Sequence, residues 1–237
     1  MFNRPHHQKI ATVLGKLNAE LLQNEHCYFA GGTAIALRFG EFRESVDIDF
    51  MTSDMASYRN LRNKIREADS LAPLVNEGES LELAADIRTD QYGIRTKILI
   101  EGSIIKFEIV LEGRIDFAHP TANDKIAGIS CLTLIDLATS KLLANSDRGL
   151  DAATHSRDII DLAMMDLPPS MLKKALKKAT EAYGESVLND LKKVLSKLES
   201  KPNLLEENMA KMAMTMPQAI VWQKLKKLTC LTQANES

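Results

Sequence analysis

Tyr28-Phe29-Ala30-Gly31-Gly32-Thr33 and, a short helical stretch later, Val46-Asp47-Ile48-Asp49-Phe50-Met51 decide how this chain folds. The first segment is an apolar run ending in two glycines, and Ile35, Leu37 and Phe39 then occupy apolar positions of a helix that begins near Thr33. Strand, tight turn and helix is the simplest reading. Such a turn leaves backbone N–H groups unpaired at the helix start, and glycine lets the phosphates of a nucleotide approach them closely. Taken alone, paired glycines more often mark an ordinary turn. In the second segment Val46, Ile48 and Phe50 alternate with Asp47 and Asp49, the period of a half-buried strand, which predicts both carboxylates on one face. Neighbouring carboxylates repel unless a cation neutralises them, and Mg2+ accepts carboxylate oxygens while keeping positions open for phosphates. An isolated Asp-x-Asp is otherwise a hydrated strand face.

A third acid changes that balance. Ile105, Phe107 and Ile109 share one face of a strand running from Ile104 to Leu111, and Lys106 and Glu108 share the other. Three carboxylates can hold two metal ions about 3.5–4 Å apart, the arrangement that serves in-line phosphoryl transfer.

Gly31-Gly32-Thr33, a helix, Asp47-Ile48-Asp49 and a later strand acid together resemble the polymerase-β-like nucleotidyltransferase superfamily. Within it, Gly31 to Arg38 followed by Arg43, Ser45 and Asp47-Ile48-Asp49-Phe50 resembles the first motif of the AbiEii/AbiGii toxin family. Lys106-Phe107-Glu108 is similar to its second motif, Lys141 to Arg148 to its lysine-bearing helix, and Arg157-Asp158-Ile159-Ile160-Asp161-Leu162 to its last. The loop Gly40 to Arg43 departs by lacking a histidine beside the arginine, and the third acid is Glu where Asp is commoner. The resemblance implies an enzyme that transfers a nucleoside monophosphate from NTP to an acceptor hydroxyl, RNA and notably the 3′ end of tRNA. It further implies the toxin of a toxin–antitoxin or phage-defence pair, with a cognate antitoxin from a neighbouring gene. Asp47, Asp49 and Glu108 would hold Mg2+ or Mn2+, and Lys141 would neutralise transition-state charge. Gly31, Gly32, Thr33, Arg43, Ser45, Lys106 and Asp158 would bind the nucleotide. The alternative is a module of the same fold that holds nucleotide or RNA without turnover.

Composition is that of a globular chain: 237 residues, 45% hydrophobic and 26% charged. No apolar run approaches the ~20 residues that span a bilayer, and no apolar segment follows Arg4, so the expectation is a cytoplasmic protein with no membrane partner. Cys27, Cys131 and Cys230 are too scattered for a zinc pattern or a disulfide framework and read as buried or partly buried thiols. Residues 1–169 carry 18 Lys/Arg against 25 Asp/Glu, whereas residues 170–230 carry 12 against 6, so the second part is basic. Lysine-rich helices there can contact polynucleotide phosphates, though such lysines ordinarily form a solvated face.

Ile10, Val13, Leu14, Leu17 and Leu21 predict one helix over 8–24, and Met55 to Ala68 predicts another, capped from Thr52-Ser53-Asp54. His6 and His7 lack the further ligands a metal site needs. Alternation predicts strands over 81–88, 93–101 and 104–111, with Gly102-Ser103 as a hairpin turn that sets the Glu108 strand antiparallel to its predecessor. After Pro120 the pattern is helical to the end, without further strands. Pro202 is the expected stop of one helix, Pro217 starts the last, and the final residues should be loose. The expected fold is therefore α+β: a small mixed nucleotidyltransferase sheet flanked by helices over 1–120, then an all-helical, lysine-rich part over 121–237.

Overall fold

The computed structural model describes residues 2–201 and 203–233. The stop expected at Pro202 and the loose end expected over 234–237 lie outside these residues. The chain divides into two compact units, Met1–Arg38 with Ser45–Thr133, and Phe39–Glu44 with Leu134–Ser237.

In the first unit, α1 (Pro5–Lys16) starts on a proline, whose missing N–H costs nothing at that position, and buries Ile10, Val13 and Leu14. The single helix expected over 8–24 breaks at Asn18, whose Oδ1 accepts the Leu21 N–H at 2.9 Å and caps a separate α2 (Ala19–Asn24). β1 (Tyr28–Ala30), α3 (Gly31–Arg38), β2 (Ile48–Thr52) and α4 (Met55–Ala68) follow. The α4 boundaries agree with the sequence, and Asp54 caps it through Oδ1 on the Ser57 N–H at 2.7 Å. The strand expected from Val46 begins two residues later, leaving Val46 exposed and Asp47 just ahead of the ladder.

β3 (Glu82–Thr89), β4 (Gly93–Ile100) and β5 (Ser103–Leu111) complete a five-stranded sheet of order β1-β2-β5-β4-β3. Only β2 and β5 run parallel; the remaining neighbours are antiparallel. Ile100 pairs with Ser103, so the hairpin turn is Glu101-Gly102, one residue earlier than the sequence indicated. Both turn residues have positive φ, +47° and +71°, as a tight two-residue turn demands. One face of the sheet is apolar: Phe29, Ile48, Phe50, Ile94, Ile98, Ile105, Phe107 and Ile109 are fully buried. The Phe29 and Phe107 rings meet Phe50 at centroid separations of 5.6 and 5.8 Å. The other face carries the charged residues.

Contrary to the expectation of helices alone after residue 120, Lys125–Ile126 (β6) and Ile129–Ser130 (β7) form a second hairpin around Ala127-Gly128, both at positive φ. Cys131 then bridges to Phe29, so this segment packs with the first unit and the unit boundary falls at 133/134. Two-residue strands are too short to show alternation in the sequence. The second unit is helical among its described residues: α5 (Leu134–Arg148), α6 (Arg157–Met164), α7 (Pro169–Tyr183), α8 (Ser186–Ser200), α9 (Leu204–Lys211), α10 (Gln218–Lys227) and α11 (Thr229–Gln233). Apolar stripes such as Leu172, Ala175 and Ala179 on α7 and Val187, Leu191, Val194 and Leu198 on α8 supply its core. No described helix is long and apolar enough to cross a membrane. Cys27 and Cys131 are buried, and burial pushes the Cys131 thiol up to about 12.

Phe50→Ala should lower the unfolding free energy by about 3–5 kcal/mol, because its ring is fully enclosed between two others. Tyr92→Ala, at a site 63% exposed, should stay within about 0.5 kcal/mol. Urea unfolding of the two variants checks the contrast.

Candidate active site

Asp49 of β2 and Glu108 of β5 are register partners on adjacent parallel strands, so their side chains leave the same, polar face of the sheet. Ala30 pairs with Asp49 across the antiparallel β1–β2 ladder, and the chain then turns at Gly31 into α3. Gly31 has φ +73°, and a Cβ on it would lie 2.4 Å from Asp49 Oδ2. Two separate constraints thus require glycine here: the left-handed backbone and the carboxylate resting against it. Asp47 sits one residue before β2, partly exposed, and strand alternation does not fix its direction.

The approach to Asp47 is braced. Thr33, buried, donates from Oγ1 to Ser45 Oγ at 2.8 Å. The Ser45 N–H donates to Nε2 of the fully buried His7 at 3.2 Å, and His6 Nε2 donates to the Val46 carbonyl at 3.1 Å. Thr33 and Ser45, expected at the nucleotide, are therefore engaged with each other, and the two histidines of α1, which sequence reasoning left without a role, hold the segment. Their signal was invisible because His7 and Ser45 are far apart in sequence.

Glu108 is only 14% exposed and accepts from two cations: Arg95 Nε at 2.9 Å on Oε1 and Lys106 Nζ at 2.5 Å on Oε2. Arg95 also donates from Nη1 to Asp90 Oδ2 at 2.9 Å. Lys106 was expected to bind nucleotide, and here it neutralises the third acid. Arg95 was not anticipated. Among the described residues no three His, Cys, Asp or Glu side chains converge as a metal-ligand set. The donors nevertheless fit a hard divalent cation in kind: the face presents carboxylate oxygens, two of them already drawing cationic groups.

In the helical unit the remaining expected residues form one buried ion cluster. Arg43 grips Asp161 with Nε at 2.6 Å and Nη2 at 2.9 Å, and its Nη1 donates to the Glu44 carbonyl. Lys141 Nζ lies 2.7 Å from Asp161 Oδ2 and 2.9 Å from Asp158 Oδ1, and Arg148 forks onto Asp158 at 2.7 and 3.0 Å. Arg43, Lys141 and Asp158 are thus brought together, joined by Asp161 and Arg148. Burial raises the Asp158 carboxyl, but the charges and hydrogen bonds of Lys141 and Arg148 outweigh it and hold the group well below the usual carboxylate range. Burial likewise works against the charged Asp161, and Lys141 and Arg43 reverse it.

A five-stranded mixed sheet with a glycine turn set against a strand aspartate, a second acid in register on the next parallel strand and helices alongside defines a nucleotidyltransferase fold. Residues 13–224 match the family described as nucleotidyl transferase AbiEii toxin, type IV toxin–antitoxin system, and the chain belongs to that family of nucleotidyltransferases. A solved structure from Helicobacter pylori, described as a candidate nucleotidyltransferase, shares the fold at 19% identity and TM-score 0.50, covering 95% of this chain and 96% of its own. JHP933 from Helicobacter pylori matches over 100% of both chains at 18% identity and TM-score 0.44. No curated protein matches the chain.

Gly31→Ala should cost at least about 1–2 kcal/mol from its left-handed backbone alone. Part of the total should return in an Asp49→Ala background, where the closest overlapping atom is gone; urea melts of the four-member cycle measure that coupling. The ion cluster predicts acid sensitivity. Because the folded pKa values of Asp158 and Asp161 are depressed, their stabilisation is complete above the unfolded value of about 3.9 and is lost as pH falls through the folded values. Helical circular dichroism during urea unfolding should give a midpoint insensitive to these groups above about pH 5 and declining below about pH 4. Asp158→Asn should flatten the decline.

Proposed function

We propose that the chain is a Mg2+-dependent nucleotidyltransferase that moves a nucleoside monophosphate from NTP to an acceptor hydroxyl on RNA, with the 3′ end of tRNA as target, and so acts as a toxin. The observation that carries this reading is the register pairing of Asp49 with Glu108, with Gly31 packed against the Asp49 carboxylate. In the reaction the acceptor oxygen bonds to the α-phosphorus, the bond from that phosphorus to the β-phosphate bridging oxygen breaks, pyrophosphate departs and the hydroxyl proton passes to solvent. Asp47, Asp49 and Glu108 are the residues that would hold the divalent ion. When bound, such an ion lowers the charge on the phosphates and favours the deprotonated acceptor oxygen. The backbone at Gly31-Gly32, where α3 starts, would receive the phosphates, and the Thr33–Ser45–His7 brace fixes the segment bearing Asp47. Lys141 and Asp158 pair with each other, and Arg43 and Lys141 both hold Asp161, so these three residues act in the buried cluster and not at the acids of the sheet.

The family supports a partner as well: an antitoxin encoded beside the toxin gene. Nothing in the mechanism requires a membrane, and we place the activity in the cytoplasm, where RNA and NTP are available.

The test incubates the purified chain with Mg2+, total RNA and each NTP labelled at the α-phosphate. One nucleotide should label a tRNA-sized band, and Asp49→Ala should lower the rate by about a thousand-fold or more, the factor equivalent to several kcal/mol of lost charge stabilisation. Label transfer that survives the Asp47→Ala, Asp49→Ala double variant would overturn the assignment.

A further inference from the structure

The polar face of the sheet carries an arrangement that the catalytic reading does not use. β4 pairs with β5 so that Arg95 faces Glu108 and Lys97 faces Lys106, and β3 pairs with β4 so that Arg88 faces Arg95. Two like-charged pairs, Lys97 with Lys106 and Arg88 with Arg95, therefore stand directly opposite each other across neighbouring strands. Such pairs are destabilising. The second exists only because β3 is irregular: its register against β4 shifts between Ala85 and Arg88, and without that shift Ile87 would oppose Arg95. Arg95 and Lys106 share Glu108, whereas Arg88 and Lys97 are exposed and make no ion pair among the described residues.

We propose that this face is a binding strip for the backbone of a single-stranded RNA acceptor. The row Asp49, Glu108, Arg95, Arg88 is continuous in register from β2 to the edge strand β3, so the strip begins at the proposed catalytic acids and leads outward. From Lys106 on β5 to Arg88 on β3 it spans two strand spacings, about 10 Å, farther than a single phosphate reaches. Anionic phosphodiesters would relieve both repulsive pairs at once. The loop between β3 and β4 carries Tyr92, 63% exposed and therefore open for a base to stack on. Cations on a sheet face with an exposed aromatic on the adjoining loop is a composition that single-stranded nucleic acid recognises.

This inference rests on the RNA-acceptor reading above, and the experiment separates the two. Binding of a short fluorescent single-stranded RNA to the full chain is followed by anisotropy over a salt series, for wild type, Arg88→Gln with Lys97→Gln, and Tyr92→Ala. As a charge-matched control, Lys64→Gln with Arg66→Gln alters two exposed residues of α4. Circular dichroism melts establish that each variant is folded. The strip variant should bind RNA several-fold more weakly and show a salt slope smaller by about 1.4, two phosphates at about 0.7 each. Tyr92→Ala should weaken binding roughly tenfold, and the α4 control should behave as wild type. Affinity for a fluorescent NTP should be unchanged in all of them. If wild type binds no RNA, the acceptor reading falls and the strip with it. If wild type binds RNA but the strip variant binds equally well, or the α4 control loses as much, the strip alone is overturned. A loss of NTP affinity in the strip variant reassigns these cations to the donor nucleotide and also overturns the proposal.

Discussion

The register of the single parallel pair, β2 on β5, is the constraint on which the proposed site depends. It sets Asp49 beside Glu108, and because side-chain direction alternates along each strand it simultaneously turns Phe50, Phe107 and Ile109 into the core. A one-residue slip of β2 would turn Asp49 into the core and Phe50 out of it, and a slip of β5 would do the same with Glu108 and Phe107. The hydrophobic face thus enforces the chemistry of the polar face. Gly31 belongs to the same logic. It lies where β1 ends opposite Asp49, and its missing side chain leaves the room that the carboxylate fills.

The helical unit solves a different problem. Three cations and two carboxylates are concentrated around Asp158 and Asp161, with the acids almost wholly buried. Desolvating such groups is expensive, and an apolar cluster of equal volume is often no less stable. What the ions add is geometry: the fork of Arg43 on Asp161 specifies one placement of residues 39–44 among the helices, where an apolar contact would tolerate several. Glu44 reinforces that placement by donating its N–H to the Met212 carbonyl at 2.9 Å.

Periods and caps made most of the fold legible in the sequence. Alternation located β4 and β5 within a residue or two, and Asp54 announced the start of α4. The acids were legible as a set because Asp49 and Glu108 both sit among apolar residues at period two. What could not be read was partnership. Placing the hairpin turn at Gly102-Ser103 would pair Lys97 with Glu108, whereas the actual turn at Glu101-Gly102 pairs Arg95 with it. A turn displaced by one residue moves the register by two, so the faces remain correct while every cross-strand neighbour changes. Glu101 was an unobvious choice because non-glycine residues seldom take positive φ. The His7–Ser45 and Arg43–Asp161 contacts were illegible for a plainer reason: no periodicity connects residues that distant.

The same register explains why the polar face is not uniformly acidic. Carboxylates on β2 and β5 repel one another, and Lys106 and Arg95 relieve Glu108 from its own strand and the next. That neutralisation needs two cations at most. Lys97 and Arg88 exceed it, and both stand opposite a like charge where a neutral residue would pair better. Arg88 continues the row that begins at Asp49, Lys97 stands in the next row beside Lys106, and an anionic chain laid across β4 would relieve both like-charged pairs.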